Sequence, residues 1–402
     1  MNALSAVTFS IFLSAASGVV PRLVRDEERL LGDLGTNYSA HLRPVANFGD
    51  AVNVSFGFAL IKILHFDEQA ETLHTLVWLK KTWKDLLLRW DPKDYNGIST
   101  IRIPSDKIWK PDVILYNSVS DQWTYAVEPL AVVTSDGTVT WFPPMHLHSM
   151  CDVDLTKFPF DTQVCWFKFG SWTYDGSKVN LVQYFPFNEV DLSSYSKNRQ
   201  WNLVNTTVER NTIKYPCCPE EYVDLTYNLK LSRRSRHYAT TVVAPSVILA
   251  LLLPVTFLLP PGTTEKTTLG TGVLLGLVLM SLLLQDLLPP GAHSVSALAV
   301  YNMVCVALTA FSLLLGALVN TVWYKKGDVP EPLNFLFLRG LARLLCVSLD
   351  TYYRMPFASS HVTDDKEASA RGEWQLLSMV LDRIFLIVFA VSVIITSLVL
   401  LS

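Results

Sequence analysis

The chain has 402 residues, a net charge of −3, 50% hydrophobic and 17% charged residues, and a mean hydropathy of +0.28. Soluble domains usually carry about 25% charged residues, so this composition argues against intrinsic disorder and against one ordinary soluble enzyme. The balance of acidic and basic residues gives no support to a nucleic-acid partner, and we expect none.

The chain begins with an apolar segment that predicts a secretory signal peptide over residues 1–19. An apolar run at 6–13 is followed by small residues up to Gly18, although a basic first segment is missing. A signal peptide would place residues 20–236 outside the cell. Three Asn-X-Ser/Thr sequons in that part are expected glycosylation sites: Asn37, Asn53 and Asn205.

Residues 20–236 are predicted to form an all-β sandwich. Segment 52–58 alternates apolar with small or polar side chains, which is the pattern of a half-buried strand. Turn pairs such as Asn96-Gly97 and Asp136-Gly137 recur between short strand-like segments. Segment 27–34 predicts an N-terminal helix at one end of this domain.

Residues 237–402 are predicted to form an all-α transmembrane domain of four helices. Each apolar segment is long enough to cross a bilayer, and the four lie at about 238–259, 266–287, 297–322 and 384–401. Both termini would then be extracellular, and 323–383 would be a short cytoplasmic connection. Lys325, Lys326, Arg339 and Arg343 in that connection agree with the positive-inside rule.

The six cysteines divide by predicted compartment. The four in the expected extracellular part, where disulfides persist, are Cys151, Cys165, Cys217 and Cys218. Cys305 and Cys346 fall in the membrane and cytoplasmic parts, where free thiols are expected. Neighbouring Cα atoms are about 3.8 Å apart, below the usual disulfide range, so a Cys217–Cys218 bond would need a distorted peptide. The alternative is two separate bonds, Cys151–Cys217 and Cys165–Cys218, and the spacing leaves both open.

Several motifs together resemble a known receptor family. Thirteen residues separate Cys151 from Cys165 and include Phe158-Pro159-Phe160-Asp161, which is similar to the signature loop of Cys-loop receptors, the pentameric ligand-gated ion channels. Trp109-Lys110-Pro111-Asp112 is similar to nicotinic acetylcholine receptors, and Tyr215-Pro216-Cys217-Cys218 resembles the loop tip of their α-type subunits. The resemblance extends from about Arg25 to Ser402 and implies the disulfides Cys151–Cys165 and Cys217–Cys218.

The resemblance implies an agonist site built from aromatic rings. A quaternary ammonium donates no hydrogen bond and is held by ring faces at about 0.5–2 kcal/mol per ring. The principal face is expected at Tyr116, Trp172, Tyr215, Cys217, Cys218 and Tyr222. The complementary face, supplied by a neighbouring subunit, is expected at Trp78, Val132, Thr140 and Phe142. Taken singly, each of these aromatic residues is more often a core or rim residue.

The second apolar segment carries a candidate pore face. Spacings of three or four residues join Glu265, Thr268, Gly272, Leu275, Leu279, Leu282 and Asp286. Five such helices would place acidic rings, which favour cations, at both mouths, with leucine rings between them that gate by dewetting. Gly272 stands where the family commonly has a hydroxyl, so we expect a dry mid-pore and either a low conductance or a reluctance to open. The alternative is a plain lipid-facing helix with polar ends.

The resemblance also implies residues that couple the ligand site to the pore. At the domain boundary these are Glu68 paired with Arg234, the loop residues Phe158, Pro159 and Asp161, and the linker 289–296. Lys168, Tyr215 and Asp224 match a family trio that couples closure of the cysteine-tipped loop to the sheet. The alternative for Lys168 and Asp224 is an ordinary surface ion pair, worth under about 1 kcal/mol.

The leading interpretation is a nicotinic-like, cation-selective, ligand-gated channel. The resemblance implies an acetylcholine-like cationic ligand, permeant monovalent cations and calcium, contact with membrane lipid, and a homopentamer or a heteropentamer with related subunits. It also implies a plasma-membrane and postsynaptic location. The alternatives are a receptor for another amine such as choline, a non-conducting ligand-binding subunit, and an anion channel.

Catalytic and metal chemistry find little support in the sequence. No catalytic constellation stands out, so we expect no enzyme and no cofactor. His146 and His148 can share one face of a strand. No further ligand lies nearby in the sequence, so we interpret them as surface residues and expect no metal site.

Overall fold

The computed structural model describes residues 22–119, 127–186, 189–216, 218–288, 295–342, 345 and 365–400. The expected signal peptide, Cys217, most of the linker 289–296, Arg343 and Cys346 lie outside these residues.

Helix α1, Arg22–Gly35, stands before the first strand, as the sequence predicted. Leu30 is fully buried against the sandwich core. Tyr95 donates its hydroxyl to Asp33 at 2.9 Å, and the Arg29 guanidinium lies 5.0 Å from the Tyr95 ring centre. These contacts dock the helix on the turn that follows the second strand.

The eleven strands of the described residues form two sheets. Their bounds are β1 Val52–Asp67, β2 Thr72–Lys84, β3 Thr100–Ile103, β4 Val113–Leu115, β5 Ala131–Thr134, β6 Thr138–Trp141, β7 Pro144–Met150, β8 Thr162–Ser171, β9 Val179–Gln183, β10 Trp201–Lys214 and β11 Glu221–Arg233. The larger sheet has the order β3-β5-β6-β2-β1-β9, with β7 also paired to β2. The smaller sheet has the order β10-β11-β8-β4. The predicted all-β sandwich is confirmed.

Aromatic rings fill the space between the two sheets. Phe56 and Phe58 project from β1, and Phe167, Phe169 and Tyr227 project from the opposite sheet, with ring centres 4.7–6.3 Å apart. All five are buried, and Tyr227 donates its hydroxyl to the carbonyl of Phe56 at 3.0 Å. The inward-facing side chains of both sheets therefore build the core, and the side chains on the outer faces remain accessible to a ligand.

Four helices of the described residues are long and apolar enough to cross a membrane, which confirms the predicted membrane domain. They are α2 Arg236–Leu258, α3 Thr264–Leu287, α4 Ala297–Trp323 and the apolar part, Arg371–Leu400, of a longer helix. Between α4 and that last helix lies α5 over residues 331–341. The last helix, α6, is continuous over Asp365–Leu400, so it extends well before the span predicted at 384–401.

Two glycines of α3 allow its neighbours to approach closely. A Cβ at Gly270 would lie 2.5 Å from Leu313 Cδ2 of α4, and one at Gly276 would lie 3.0 Å from Leu249 Cδ2 of α2. Lys266 of α3 is buried and forms an ion pair with Asp382 of α6. The side of α3 that packs on α2, α4 and α6 is thereby distinct from the side left open.

Candidate ligand-binding site, pore and coupling region

Asp112 holds the loop that carries Trp172. Its carboxylate accepts hydrogen bonds from Ser171 Oγ and from the backbone N–H of Thr173, the latter at 2.8 Å. Its carbonyl also accepts the Trp172 N–H at 3.3 Å. The Trp109-Lys110-Pro111-Asp112 motif thus fixes the loop at the end of β8, and the Trp172 side chain is left 69% exposed.

The predicted aromatic residues of the principal face gather at one end of the smaller sheet. The rings of Tyr116 and Trp172 are 6.2 Å apart, and those of Tyr215 and Tyr222 are 5.7 Å apart. Burial raises the pKa of the Tyr116 phenol, as do Tyr215 and Asp224, so the group stays a neutral donor. It donates to the carbonyl of Ser171 at 2.6 Å.

Gly170 leaves the space that Tyr116 occupies. A Cβ at that position would lie 2.2 Å from the Tyr116 hydroxyl oxygen, so a side chain there would displace the ring. The position of Tyr116 therefore depends on a glycine in β8 as well as on β4, the strand that Tyr116 follows.

Lys168 and Asp224 of the expected coupling trio form an ion pair, with Nζ 3.2 Å from Oδ2. The Asp224 side chain is almost fully buried, and Oδ1 also accepts from Asn211 Nδ2 at 3.0 Å and from Thr226 Oγ1 at 2.9 Å. The pair is thus more than an exposed surface contact. It lies two residues along β11 from Tyr222.

Three of the four residues expected on the complementary face belong to strands of the larger sheet, and the fourth, Phe142, directly follows one of them. Val132 and Thr140 are direct partners across β5 and β6, and both are half-buried. Trp78 is 44% exposed on β2, and Phe142 is 37% exposed just beyond β6. The two predicted halves of the ligand site therefore project from different sheets of one subunit.

The adjacent-cysteine loop is described on one side. Cys151 is bonded to Cys165, which excludes the alternative pairings of these two residues. Cys218 also takes part in a disulfide, but its expected partner, Cys217, lies outside the described residues. The Cys218 N–H donates to the carbonyl of Tyr215 at 3.2 Å.

The predicted pore face of α3 is the face that its own subunit leaves open. All seven predicted residues are exposed: Glu265, Thr268, Gly272, Leu275, Leu279, Leu282 and Asp286. The opposite face is buried at Lys266, Gly270, Val273, Leu277 and Leu284. A Cβ added at Gly272 would meet no atom within 4 Å. Gly272 therefore differs from Gly270 and Gly276, where an added Cβ would crowd a leucine of a neighbouring helix.

The expected Glu68–Arg234 pair is wrong, because the partner of Glu68 is Arg233. Arg233 Nη1 lies 2.7 Å from Glu68 Oε1, and Arg233 Nε lies 2.6 Å from Asp161 Oδ1. Successive side chains of β11 alternate between the two faces, so Arg233 points inward and Arg234 is exposed. The Arg234 N–H donates to the carbonyl of Gln200 at 2.7 Å.

Aromatic rings surround the Arg233 guanidinium. Its central carbon is 4.3 Å from the Trp201 ring centre, 5.0 Å from that of Phe158 and 5.5 Å from that of Tyr238. Phe158 lies on the Cys151–Cys165 loop, where its bond to Pro159 is cis, and Tyr238 belongs to α2. One arginine thus joins three elements at the domain boundary.

The sequence analysis did not predict two further contacts at this boundary. Gln69 Nε2 donates to the carbonyl of Asp286 at the end of α3 at 3.0 Å. The N–H of Ala297, at the start of α4, donates to the carbonyl of Thr156 in the disulfide loop at 3.0 Å. Backbone acceptors carry no residue signature, so sequence patterns could not have identified these contacts.

The remaining predicted positions are accessible. Asn37, Asn53 and Asn205 are exposed, as glycosylation requires. Within the described residues, no group of three histidine, cysteine or carboxylate side chains is gathered for a metal ion as the side chains stand.

Together these observations define a class of protein. A disulfide-bonded β-sandwich carries a cluster of aromatic rings, and an arginine network links it to four membrane helices, one of which exposes a polar-ended leucine face. This is the architecture of a membrane receptor whose binding domain and channel domain lie in one chain.

Comparison with known families agrees with this class. The neurotransmitter-gated ion-channel ligand binding domain matches residues 27–235, and the neurotransmitter-gated ion-channel transmembrane region matches residues 242–370. The chain therefore belongs to the neurotransmitter-gated ion-channel family, as the resemblance to Cys-loop receptors implied.

Its relatives include nicotinic receptor subunits. The chain is 38% identical to the acetylcholine receptor subunit alpha-type acr-16 of Caenorhabditis briggsae, over 80% of this chain and 64% of that protein. It is 34% identical to the human neuronal acetylcholine receptor subunit alpha-6, over 79% of this chain and 65% of that protein. It is 35% identical to the neuronal acetylcholine receptor subunit alpha-4 of Mustela putorius furo, over 90% of this chain and 58% of that protein. The chain thus spans less than two thirds of the length of these relatives.

Proposed function

We propose that this chain is a subunit of a pentameric, cation-selective channel that opens when an acetylcholine-like amine binds between two subunits. The observation that carries the proposal is the cluster of Tyr116, Trp172, Tyr215 and Tyr222 at one end of the smaller sheet. Ring faces attract a cation that cannot donate hydrogen bonds, and an exposed Trp172 is available to it.

The second half of the site comes from a neighbour in this proposal. Trp78, Val132, Thr140 and Phe142 lie on the other sheet of the same chain. Each chain then contributes its principal face to one interface and its complementary face to the next. A homopentamer has a complete site at every interface, and a related subunit with the same residues can replace a copy.

The channel mechanism follows from the boundary contacts. Agonist draws the Cys217–Cys218 loop over the rings and shifts β11, which carries Asp224 near the site and Arg233 at the membrane end. Arg233 transmits that shift to Asp161 and Glu68, and Gln69 contacts the outer end of α3. Rotation of five α3 helices then separates the leucine rings, and Glu265 and Asp286 select cations.

The location and boundaries are part of the proposal. Residues 1–19 act as a signal peptide, 20–236 form the extracellular domain and 237–402 the membrane domain, with 323–383 cytoplasmic and both termini extracellular. The receptor lies in the plasma membrane, with a postsynaptic site as the natural place for such a channel. The acetylcholine receptor relatives support an amine as the ligand.

Current recording tests the proposal directly. Oocytes expressing the chain receive acetylcholine, choline and a panel of biogenic amines, and the reversal potential is measured while sodium, potassium or chloride is replaced. We expect an evoked current whose reversal potential follows sodium and potassium and which is lost in Trp172→Ala. A surface-expressed receptor that gives no current with any amine contradicts the channel. A reversal potential that follows chloride contradicts cation selectivity.

A further inference from the structure

Lys81 stands at a core position of the larger sheet. The inward residues of β2 on either side of it, Leu79 and Trp83, are buried, and Lys81 itself is 1% exposed. Its cross-strand partner is Trp141 of β6, whose ring centre lies 5.5 Å from Lys81 Nζ. A buried ammonium is costly, so the polar groups around it must compensate for the hydration that it loses.

The ammonium of Lys81 reaches across the core to the smaller sheet. Its Nζ donates to the carbonyl of Val113, the first residue of β4, at 3.3 Å. Two charged side chains of the segment before β4, Lys110 and Asp112, act on this ammonium with opposite signs. Lys81 is therefore anchored beside the segment that holds the Trp172 loop.

The backbone that Lys81 contacts is continuous with the support of Trp172. Val113 is the direct partner of Ser171 across β4 and β8. Just before Val113, Asp112 accepts the Trp172 N–H on its carbonyl at 3.3 Å and the Thr173 N–H on its carboxylate at 2.8 Å. A donor fixed to Val113 thus restrains the backbone from which Asp112 holds the loop.

We propose that Lys81 is a positioning residue for the principal face of the ligand site. It contacts no residue of the aromatic cluster in this proposal, and it acts on Trp172 through Val113 and Asp112. The effect on agonist binding rests on the proposed function, whereas the restraint on the Trp172 loop does not.

The length of a lysine suits this task. Packed sheets lie about 10 Å apart, and the four-carbon stem of a lysine carries its donor across much of that distance. An apolar side chain at position 81 would fill the core but would leave the carbonyl of Val113 without this donor. Lys81→Met therefore separates the two roles, because it keeps the packing and removes the hydrogen bond.

Hydrogen exchange, detected by mass spectrometry on the purified full-length chain in lipid nanodiscs, tests the restraint. The readout is the exchange rate of segment 171–174, which contains the two N–H groups that Asp112 accepts. We expect Lys81→Met to speed this exchange about two- to tenfold, since the loss of one hydrogen bond shifts a local opening by about that factor. The unfolding midpoint should not fall, because a buried charge is removed as well.

Lys84→Met is the matched control. Lys84 lies three residues further along β2, and its exposed ammonium pairs with Asp136 at 3.3 Å. Exchange of segment 171–174 in this variant should equal the wild-type rate. Equal exchange in wild type and Lys81→Met would overturn the positioning role. Lys81→Leu removes the same donor and serves if Lys81→Met does not fold.

A second arm measures the agonist-evoked current at equal surface expression. We expect Lys81→Met to raise the half-maximal agonist concentration about two- to tenfold, because a less ordered Trp172 loop must be fixed on binding. Lys84→Met should match the wild type. An unchanged half-maximal concentration in Lys81→Met would overturn the role in ligand binding.

The two arms separate this proposal from the channel proposal. If exchange is faster in Lys81→Met but no amine evokes a current in wild type, the restraint on the loop stands and the channel proposal fails. If wild-type currents follow the expected pattern but neither exchange nor the half-maximal concentration changes in Lys81→Met, the channel stands and the positioning role fails.

Discussion

Two basic side chains, Lys81 and Arg233, are buried in the extracellular sandwich. Lys81 of β2 is 1% exposed, and its Nζ donates to the carbonyl of Val113 at 3.3 Å, just after the loop that positions Trp172. Burial and, to a smaller extent, the charge of Lys110 lower the pKa of Lys81 to about 7, against the opposing effect of Asp112. Its ordinary value of 10.5 applies to the unfolded chain.

The Lys81 pKa predicts a pH-dependent stability. Between about pH 7 and 10.5 the unfolded chain binds more protons than the folded chain, so stability rises with pH by up to about 1.4 kcal/mol per unit. Below about pH 7 Lys81 is protonated in both the folded and the unfolded chain, so its unfavourable contribution to the free energy of unfolding no longer changes with pH. Thermal unfolding of the full receptor should show a higher midpoint at pH 9 than at pH 7.

The matched variant is Lys81→Met, which keeps the length of the side chain and removes the charge. Its unfolding midpoint should exceed the wild-type value at pH 7, because the buried charge is gone. It should also depend less on pH, because the other titrating groups are the same in the two proteins and only the contribution of Lys81 is removed. A Lys81→Met protein with the same pH dependence as wild type would show that Lys81 does not titrate in this range.

Arg233 and Arg234 are adjacent, but we expect substitution of Arg233 to destabilise the protein far more than substitution of Arg234. Arg233→Gln leaves Asp161 and Glu68 without their cation, and breaking a buried ion pair costs about 3–5 kcal/mol. Arg234→Gln changes an exposed side chain, where effects are usually within about 0.5 kcal/mol. The surface expression and the thermal unfolding midpoint should therefore fall for Arg233→Gln and stay near the wild-type values for Arg234→Gln. The reverse order would restore Arg234 as the partner of Glu68.

At the scale of elements, α3 has two sides with different requirements. Gly270 and Gly276 permit close packing on α4 and α2, whereas Gly272 faces open space beside Leu275. The sequence showed three glycines in one helix and suggested a dry pore. The structure assigns two of them to helix packing, so the expected low conductance rests on Gly272 alone among the three.

This separation predicts the effect of a hydroxyl at position 272. Gly272→Ser would add five hydroxyls to the proposed pore, which eases hydration of a narrow apolar passage and should raise the single-channel conductance above wild type. Gly272→Ala adds the methyl group alone and should give no such increase. Equal conductance in wild type and Gly272→Ser would mean that this position does not limit ion flow.

At the scale of the whole molecule, the two halves of the proposed ligand site belong to different sheets, so we expect one ligand to contact the halves of two neighbouring chains. Trp172→Ala removes a ring of the principal face, and Trp78→Ala removes the ring of the complementary face. Each variant expressed alone should lose the agonist response at all interfaces, since every interface then lacks one ring.

Coexpression of the two variants distinguishes an interface site from a site within one chain. An interface that pairs the principal face of Trp78→Ala with the complementary face of Trp172→Ala has both rings. We therefore expect mixed receptors to recover part of the agonist current, measured against each variant alone at equal surface expression. A site contained in one chain would give no recovery.

The sequence by itself determined the fold class, and it supplied most of the positions that the proposed site uses. Alternation in 52–58 indicated strands, four apolar segments indicated membrane helices, and the spacing from Glu265 to Asp286 indicated one helical face. These features can be read locally, because the periodicity of a strand or a helix is visible within a short stretch of the sequence. The cysteine loop and its neighbouring motifs were likewise contiguous.

Only the tertiary structure decided which distant groups meet. It paired Glu68 with Arg233, although the alternation of Leu229, Leu231 and Arg233 in β11 was a signal that could have been read. It distinguished the packing glycines of α3 from Gly272, and it brought Lys81 of one sheet to the backbone of Val113 in the other. Strand register and helix contacts set these relations, and they depend on how whole elements pack rather than on local spacing.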